Sequence, residues 1–191
     1  MELIKNMSHF FLFCLAFGTH LFYFLVNSRM TGAGFIRLLT GVNLGCLVTS
    51  LVAYSLTGVQ FDLIFGLYLL LVLLHVLFFI LHKDERTNVT WFLYAAIVCS
   101  YFTAAHFLFH GPITHFLFFF LTVLFLGVTN YAMILGHYYL VVPKLSEKPL
   151  LDAMKIFWGV LFFKVLLTSY GVIEGWDFFV EGSRQGSGFI F

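Results

Sequence analysis

One uninterrupted apolar run constrains this chain more than any other feature. It covers residues 61–83 and reads FDLIFGLYLLLVLLHVLFFILHK. A transmembrane helix takes about 20 apolar residues, because each residue adds about 1.5 Å along the helix axis. The run is therefore long enough to cross a bilayer. Of its two histidines, His82 lies at the end and His75 lies inside it. Since hydrocarbon offers an imidazole no water to bond, we expect neighbouring helices to supply a partner for it.

The composition extends this interpretation to the whole chain. Of the 191 residues, 61% are hydrophobic and only 10% are charged, whereas a soluble domain carries about 25% charged residues. The formal net charge of +1 argues against a nucleic-acid partner. The three cysteines lie in apolar runs without CxxC spacing, which indicates neither a disulfide framework nor a zinc site.

The hydropathy pattern predicts an all-α fold, a polytopic transmembrane bundle of about six helices. It forms a single membrane domain over residues 1–191, with helices at roughly 7–27, 34–57, 61–82, 90–110, 113–142 and 150–173 and an interfacial tail at 174–191. The first helix is interpreted as uncleaved, because no small-x-small motif precedes the polar turn after it. On the second helix, small residues recur at four-residue intervals and predict a helix-packing face, namely Gly41, Gly45, Thr49 and Ala53.

Lysine and arginine residues predict the orientation of the bundle. They lie in or beside the first, third and fifth links between helices and are absent from the second and fourth. By the positive-inside rule the odd links face the cytoplasm, which places both termini outside. We expect a location in a bacterial inner membrane, in contact with the lipid bilayer and with other membrane-protein subunits if the chain belongs to a complex.

Histidine is the notable polar residue of the predicted membrane segments. The chain has 8 histidines, whereas no Asp or Glu lies in the middle of a predicted helix. His20 and His75 each lie about seven residues from the cytoplasmic ends of their helices, which puts both at a depth of roughly 10 Å. His137 lies in the same half of the membrane, and His106 lies near the opposite surface with His9 and His115.

Two imidazoles from different helices at one depth suit the axial positions of a b-type haem. His20 and His75 are the predicted haem-iron or metal ligands, and His137 and His106 are further candidate cofactor-binding residues. His106 with His9 or His115 is the weaker candidate pair, for a second site. The alternative is that each imidazole only bonds a carbonyl or hydroxyl group of a neighbouring helix, or contacts a substrate or quinone.

Lys164 is the other anomalous residue, near the centre of the sixth predicted helix and far from either membrane surface. It is a candidate cofactor contact, through a haem propionate. Other partners that fit are an acid on another subunit, a lipid phosphate, or Asn130 if the amine is neutral. A retinal Schiff base is excluded, because no intramembrane carboxylate is present as its counter-ion.

These patterns favour a membrane redox protein that binds haem b or contacts a quinone. One alternative is a non-catalytic subunit or assembly partner of a larger membrane complex, which the small size and Phe-rich surface suit. A small-solute transporter has less support, because the sequence shows no repeat and no pair of broken helices. A hydrolase has the least support, since no GxSxG motif occurs. The sequence leaves open whether the chain is an enzyme.

Overall fold

The residues that the structure describes form a bundle of six long helices. The structure, a computed structural model, describes residues 2–26, 33–56, 62–81, 88–108, 113–142 and 146–174. The helices are α1 (Glu2–Leu21), which continues as a 3₁₀ segment (Phe22–Leu25), α2 (Ala33–Ser55), α3 (Leu63–Leu81), α4 (Asn88–Leu108), α5 (Ile113–Val141) and α6 (Lys148–Glu174). All six are long and apolar enough to cross a bilayer, which confirms the predicted fold class. The chain is an integral membrane protein.

The helix ends agree with the predicted ones to within a few residues. The largest difference is at the first helix, which begins at Glu2 rather than at residue 7. Asp62 fixes the start of α3, because its Oδ1 accepts a hydrogen bond from the Phe65 N–H at 2.8 Å and its Oδ2 accepts one from the Tyr54 hydroxyl at 2.6 Å. The predicted tail over 174–191 lies outside the described residues, apart from Glu174 at the end of α6.

The central helix is α1 rather than the long apolar helix α3. It packs against α2 and α5, and its side chains also reach α3 and α4. In α3 only one stripe is buried, and it consists of Tyr68, Leu71, His75 and Phe78. Apolar residues beside this stripe are partly buried against the core, namely Ile64, Phe65, Leu67, Val72 and Leu74. The opposite side, with Leu69, Leu73 and Ile80, is exposed, and lipid solvates such side chains as well as a protein core does. An apolar run therefore identified a spanning helix without identifying the helix at the centre.

Helices α1 and α5 cross in backbone contact at two glycines. A Cβ atom on Gly18 would lie 2.0 Å from the Val123 carbonyl oxygen, and one on Gly127 would lie 2.1 Å from the Gly18 carbonyl carbon. Only residues without a side chain permit this approach. The crossing holds α5 against the central helix.

The predicted packing face on α2 is wrong. Gly41, Gly45 and Thr49 are exposed, and a Cβ atom on either glycine would have no atom within 4 Å. The side of α2 that packs inward instead carries larger residues, namely Leu39, Asn43, Leu47 and Ser50. A four-residue interval identifies residues on one face, but it does not say whether that face points inward.

We expect Gly18→Ala to destabilise the bundle by about 2 kcal/mol or more, as overpacking of a tight core does. The added methyl group meets backbone atoms, so the two helices must separate to relieve the clash. The free energy of unfolding can be measured by SDS titration of the protein in mixed micelles, followed by circular dichroism.

The matched control is Gly41→Ala, whose added methyl group meets open space. We expect its free energy of unfolding to be unchanged or slightly higher, since alanine favours a helix over glycine. Equal destabilisation by the two substitutions would contradict the described crossing of α1 and α5.

Candidate functional site

The structure brings His20 of α1 and His75 of α3 into direct contact. Their ring centroids are 4.9 Å apart, with an angle of 63° between the ring planes. Both side chains are 0% exposed. The sequence indicated this pair because the two residues lie at the same depth along their helices. In the structure, His75 belongs to the buried stripe of α3, which turns it toward α1.

The His75 ring is oriented by its own helix. Its Nδ1 lies 2.9 Å from the carbonyl oxygen of Leu71, one turn earlier. A carbonyl oxygen only accepts hydrogen bonds, so Nδ1 carries the proton and the neutral ring keeps its lone pair on Nε2. Histidines that bind metals are usually held in this way, with one nitrogen anchored by a hydrogen bond and the other left as the ligand.

Three nitrogen atoms of the pair lack hydrogen-bond partners among the described residues. They are both ring nitrogens of His20 and Nε2 of His75. The backbone of Tyr94 lies near His20, but no described atom has normal hydrogen-bond geometry with either of its nitrogens. Each unsatisfied buried polar group costs about 1–3 kcal/mol, so their concentration at one point requires an explanation such as a bound ion or water.

Aromatic rings surround the pair. Around His20 the ring centroid of Tyr23 lies at 4.7 Å and that of Tyr94 at 5.2 Å, the latter stacked at 23°. Phe78 and Tyr101 each lie at 5.9 Å. Two hydroxyl groups fix this lining, since Tyr23 donates to Thr40 Oγ1 at 2.8 Å and Tyr94 donates to the Leu21 carbonyl oxygen at 3.0 Å. The hydroxyl of Tyr101 is also buried without a partner among the described residues.

A small cavity adjoins this lining. Its volume is about 30 Å³, and its walls include Tyr23, Phe78, Thr90, Trp91 and Tyr94. A water molecule needs at least about 10–15 Å³ of such space, so the cavity has room for water, although neither His20 nor His75 is among its walls. Pockets for larger organic ligands measure about 300–1,000 Å³, and this cavity is far smaller.

The other predicted site residues lie elsewhere. His137 is exposed, and its Nδ1 lies 2.8 Å from the Met133 carbonyl oxygen of its own helix. His106 is exposed too, with its ring against that of Phe107. No described contact joins either histidine to the central pair or His106 to His9, and the side chain of His115 lies outside the described residues.

His9 belongs to a separate polar cluster that joins three helices. Its Nδ1 lies 3.4 Å from the hydroxyl of Tyr68 on α3. Ser50 on α2 donates to the His9 carbonyl oxygen at 2.7 Å and lies 3.2 Å from the same Tyr68 hydroxyl. These contacts satisfy their polar groups internally, so the cluster is structural. Ser50 was not predicted to take part, because a lone serine in an apolar helix carries no distinctive spacing.

Lys164 lies outside the histidine site. Its Nζ donates to Thr122 Oγ1 of α5 at 2.7 Å and lies 5.8 Å from the centroid of the Phe125 ring. The alternative bond to Asn130 is not seen, because the Asn130 amide donates to Thr19 Oγ1 at 2.8 Å. Helix α6 packs on α5, whereas the histidine pair lies between α1 and α3, so the structure gives no contact that links Lys164 to a ligand of that pair.

The donor set at the pair is two imidazoles without an acid. Within the described ranges, no three His, Cys, Asp or Glu side chains come together as a metal site. A metal bound by His20 and His75 would need its remaining ligands from water, from the Tyr101 hydroxyl or from a macrocycle. Comparisons of the chain with protein-family models, with curated proteins and with solved structures find no match, so the role of the pair is inferred from its geometry.

We expect nitrogen-15 NMR of the metal-free protein, labelled at histidine, to show His75 as the neutral tautomer with its proton on Nδ1. The reason is the Leu71 carbonyl oxygen, which only accepts a hydrogen bond. Substitution His75→Gln assigns the resonance. His137 is the internal comparison, since it makes the same type of bond from an exposed position. A proton on Nε2 of His75 would contradict the described arrangement.

Proposed function

We propose that this chain is an integral membrane redox protein in which His20 and His75 bind one transition-metal centre, either a haem iron or a bare ion. The observation that carries the proposal is the set of three buried imidazole nitrogens without hydrogen-bond partners among the described residues. Imidazole nitrogen is a common ligand of iron and copper. A metal would use the lone pairs that the fold otherwise leaves unsatisfied at the centre of a membrane protein.

The surroundings favour a centre of low net charge. Aromatic rings line the pair, and among the described residues no Asp or Glu forms a three-residue group with the two histidines. A buried charge without a counter-charge is costly in such a medium. A monovalent copper ion carries one positive charge, and a ferrous haem carries none at its core because the macrocycle is a dianion. Either costs less to bury here than a bare divalent ion.

The spacing of the rings separates these two candidates. Two imidazoles on opposite sides of a haem iron have ring centres about 6 Å apart, since each metal–nitrogen bond is about 2 Å long. The observed separation is 4.9 Å, which is shorter than that. The packed arrangement therefore does not fit a haem as it stands, and haem b would require α1 and α3 to separate here. A bare ion bound at adjacent positions requires no such separation.

Aromatic contacts connect the pair to the outer surface of the bundle. His20 stacks on Tyr94, and the Tyr94 ring contacts Trp91 with centroids 5.7 Å apart. Trp91 is 48% exposed on the outer surface of α4. A membrane-soluble electron carrier such as a quinone would reach the centre most closely at this surface, and one electron would change the metal's oxidation state by one.

The test is to purify the protein after expression with haem supply and with copper and iron in the medium. We expect one metal centre per chain by elemental analysis, and its loss in His20→Ala and in His75→Ala. A Soret band that disappears in both variants would identify haem. Bound copper or iron without that band would identify the bare ion.

The matched controls are His137→Ala and His106→Ala, whose exposed rings do not contact the pair. Both should retain the metal in full. His20→Met replaces one ligand by another and should retain the metal with a shifted absorption spectrum or potential, which a purely structural histidine would not produce. A folded protein that stays free of metal under both supplies would contradict the proposal, and bound zinc alone would contradict its redox part.

A further inference from the structure

Helix α6 is the least buried helix of the bundle. It packs on α5, and large apolar side chains on the rest of its surface are exposed, among them Trp158, Phe162, Phe163 and Leu166. Beside the contact with α5 runs a cavity of about 460 Å³. Its walls include Phe125, Leu161, Lys164, Val165, Thr168 and Val172. We call this cavity the α5–α6 groove.

Lys164 places a cationic group in this apolar groove. Its amine is half-buried, and its described contacts are the Thr122 hydroxyl and the face of the Phe125 ring. Neither contact carries a full negative charge. The one ion pair seen in the described residues joins Lys155 to Asp152, which are exposed near the start of α6. Lys164 is therefore without an acidic partner in the part of the chain that the structure describes.

The depth of Lys164 in the membrane limits which kinds of acidic group can pair with its amine. Lys164 lies about 24 Å along the axis from the start of α6 at Lys148 and about 15 Å from its end at Glu174, at 1.5 Å per residue. Lipid phosphates lie at the membrane surfaces, so they are distant from this amine. Intramembrane ionisable groups usually pair with one another inside a bundle.

We propose that the α5–α6 groove binds a transmembrane helix of a different membrane protein, and that a carboxylate at mid-membrane depth on that helix pairs with Lys164. A second copy of this chain does not supply such a group. Its 9 acidic residues lie near helix ends, in the links or in the tail, and none is at the middle of a predicted helix. The groove provides the apolar contact area, and the lysine provides the selectivity for a helix with an acid at the matching depth.

The test uses model helices of defined sequence in place of the partner. The full chain, with a fluorophore at its C-terminus, is reconstituted in lipid vesicles with labelled Leu-rich transmembrane peptides. One peptide carries a single central Glu, the second a central Gln, and the third a Glu moved two turns toward one end. We expect energy transfer to report binding of the central-Glu peptide about 10-fold tighter than either other peptide, a difference of about 1.4 kcal/mol.

Substitutions assign the effect to Lys164. Lys164→Met removes the charge and should abolish the preference for the Glu peptide without unfolding the chain, as circular dichroism would verify. Lys164→Glu should reverse the preference, toward a peptide with a central Lys. Lys155→Met is the matched control and should leave binding unchanged, because that lysine is exposed and already paired.

Several results would overturn the proposal. Equal binding of the three peptides, or a preference that survives Lys164→Met, would show that the amine does not select a carboxylate-bearing helix. Self-association of the chain that depends on Lys164 would assign the groove to a second copy. Oleate binding that depends on Lys164, without any preference for the Glu peptide, would assign it to a lipid.

Discussion

The backbone contact between Gly18 and Gly127 is the constraint on which the rest of the bundle depends. It sets the position of α1 against α5. Gly18 and Thr19 both contact α5, and the next residue, His20, extends the contacts of α1 to two further helices. Gly18 faces the α5 backbone, Thr19 accepts a hydrogen bond from Asn130, and His20 contacts α3 and α4. Successive residues of a helix are rotated by about 100°, so one turn of α1 serves three neighbours. This short segment therefore connects α1 to α3, α4 and α5, whereas α1 contacts α2 at other residues, such as His9 with Ser50.

Most buried polar groups in the described core are satisfied from within. Tyrosine and threonine hydroxyls bond to backbone carbonyls or to each other, as Tyr23 does with Thr40 and Tyr94 with Leu21. This is the expected behaviour in hydrocarbon, where water is absent and each unsatisfied group is costly. The buried atoms without a partner among the described residues are those of the Asn43 amide, the Tyr101 and Tyr131 hydroxyls, and the nitrogens of His20 and His75. The histidine nitrogens differ from the others because they belong to two rings that are in contact and lie on different helices. Their proximity is what distinguishes a ligand site from a scattered packing defect.

Sequence reasoning predicted the parts of the structure that depend on length and composition. The six helices, and the equal depth of His20 and His75, follow from counting residues at a fixed rise per residue. Counting residues does not predict which face of a helix packs against which neighbouring helix. Gly41, Gly45 and Thr49 have the spacing of a packing face yet point outward, and the crossing is made by one glycine from each helix, Gly18 and Gly127. For the same reason the bond of Lys164 to Thr122 rather than to Asn130, and the close ring contact of His20 with His75, were not foreseeable.

The contact between α1 and α5 also has a consequence for the time course of synthesis. Thr19 and Asn130 are separated by 111 positions in the chain. At about 5–20 residues per second, a ribosome takes on the order of 10 s to cover that distance. During this interval α1 is already made. Gly127 and the Asn130 amide, which contact it from α5, do not yet exist. The nascent first helix therefore waits without its contacts to α5, and this period is when the chain most needs protection by the insertion machinery.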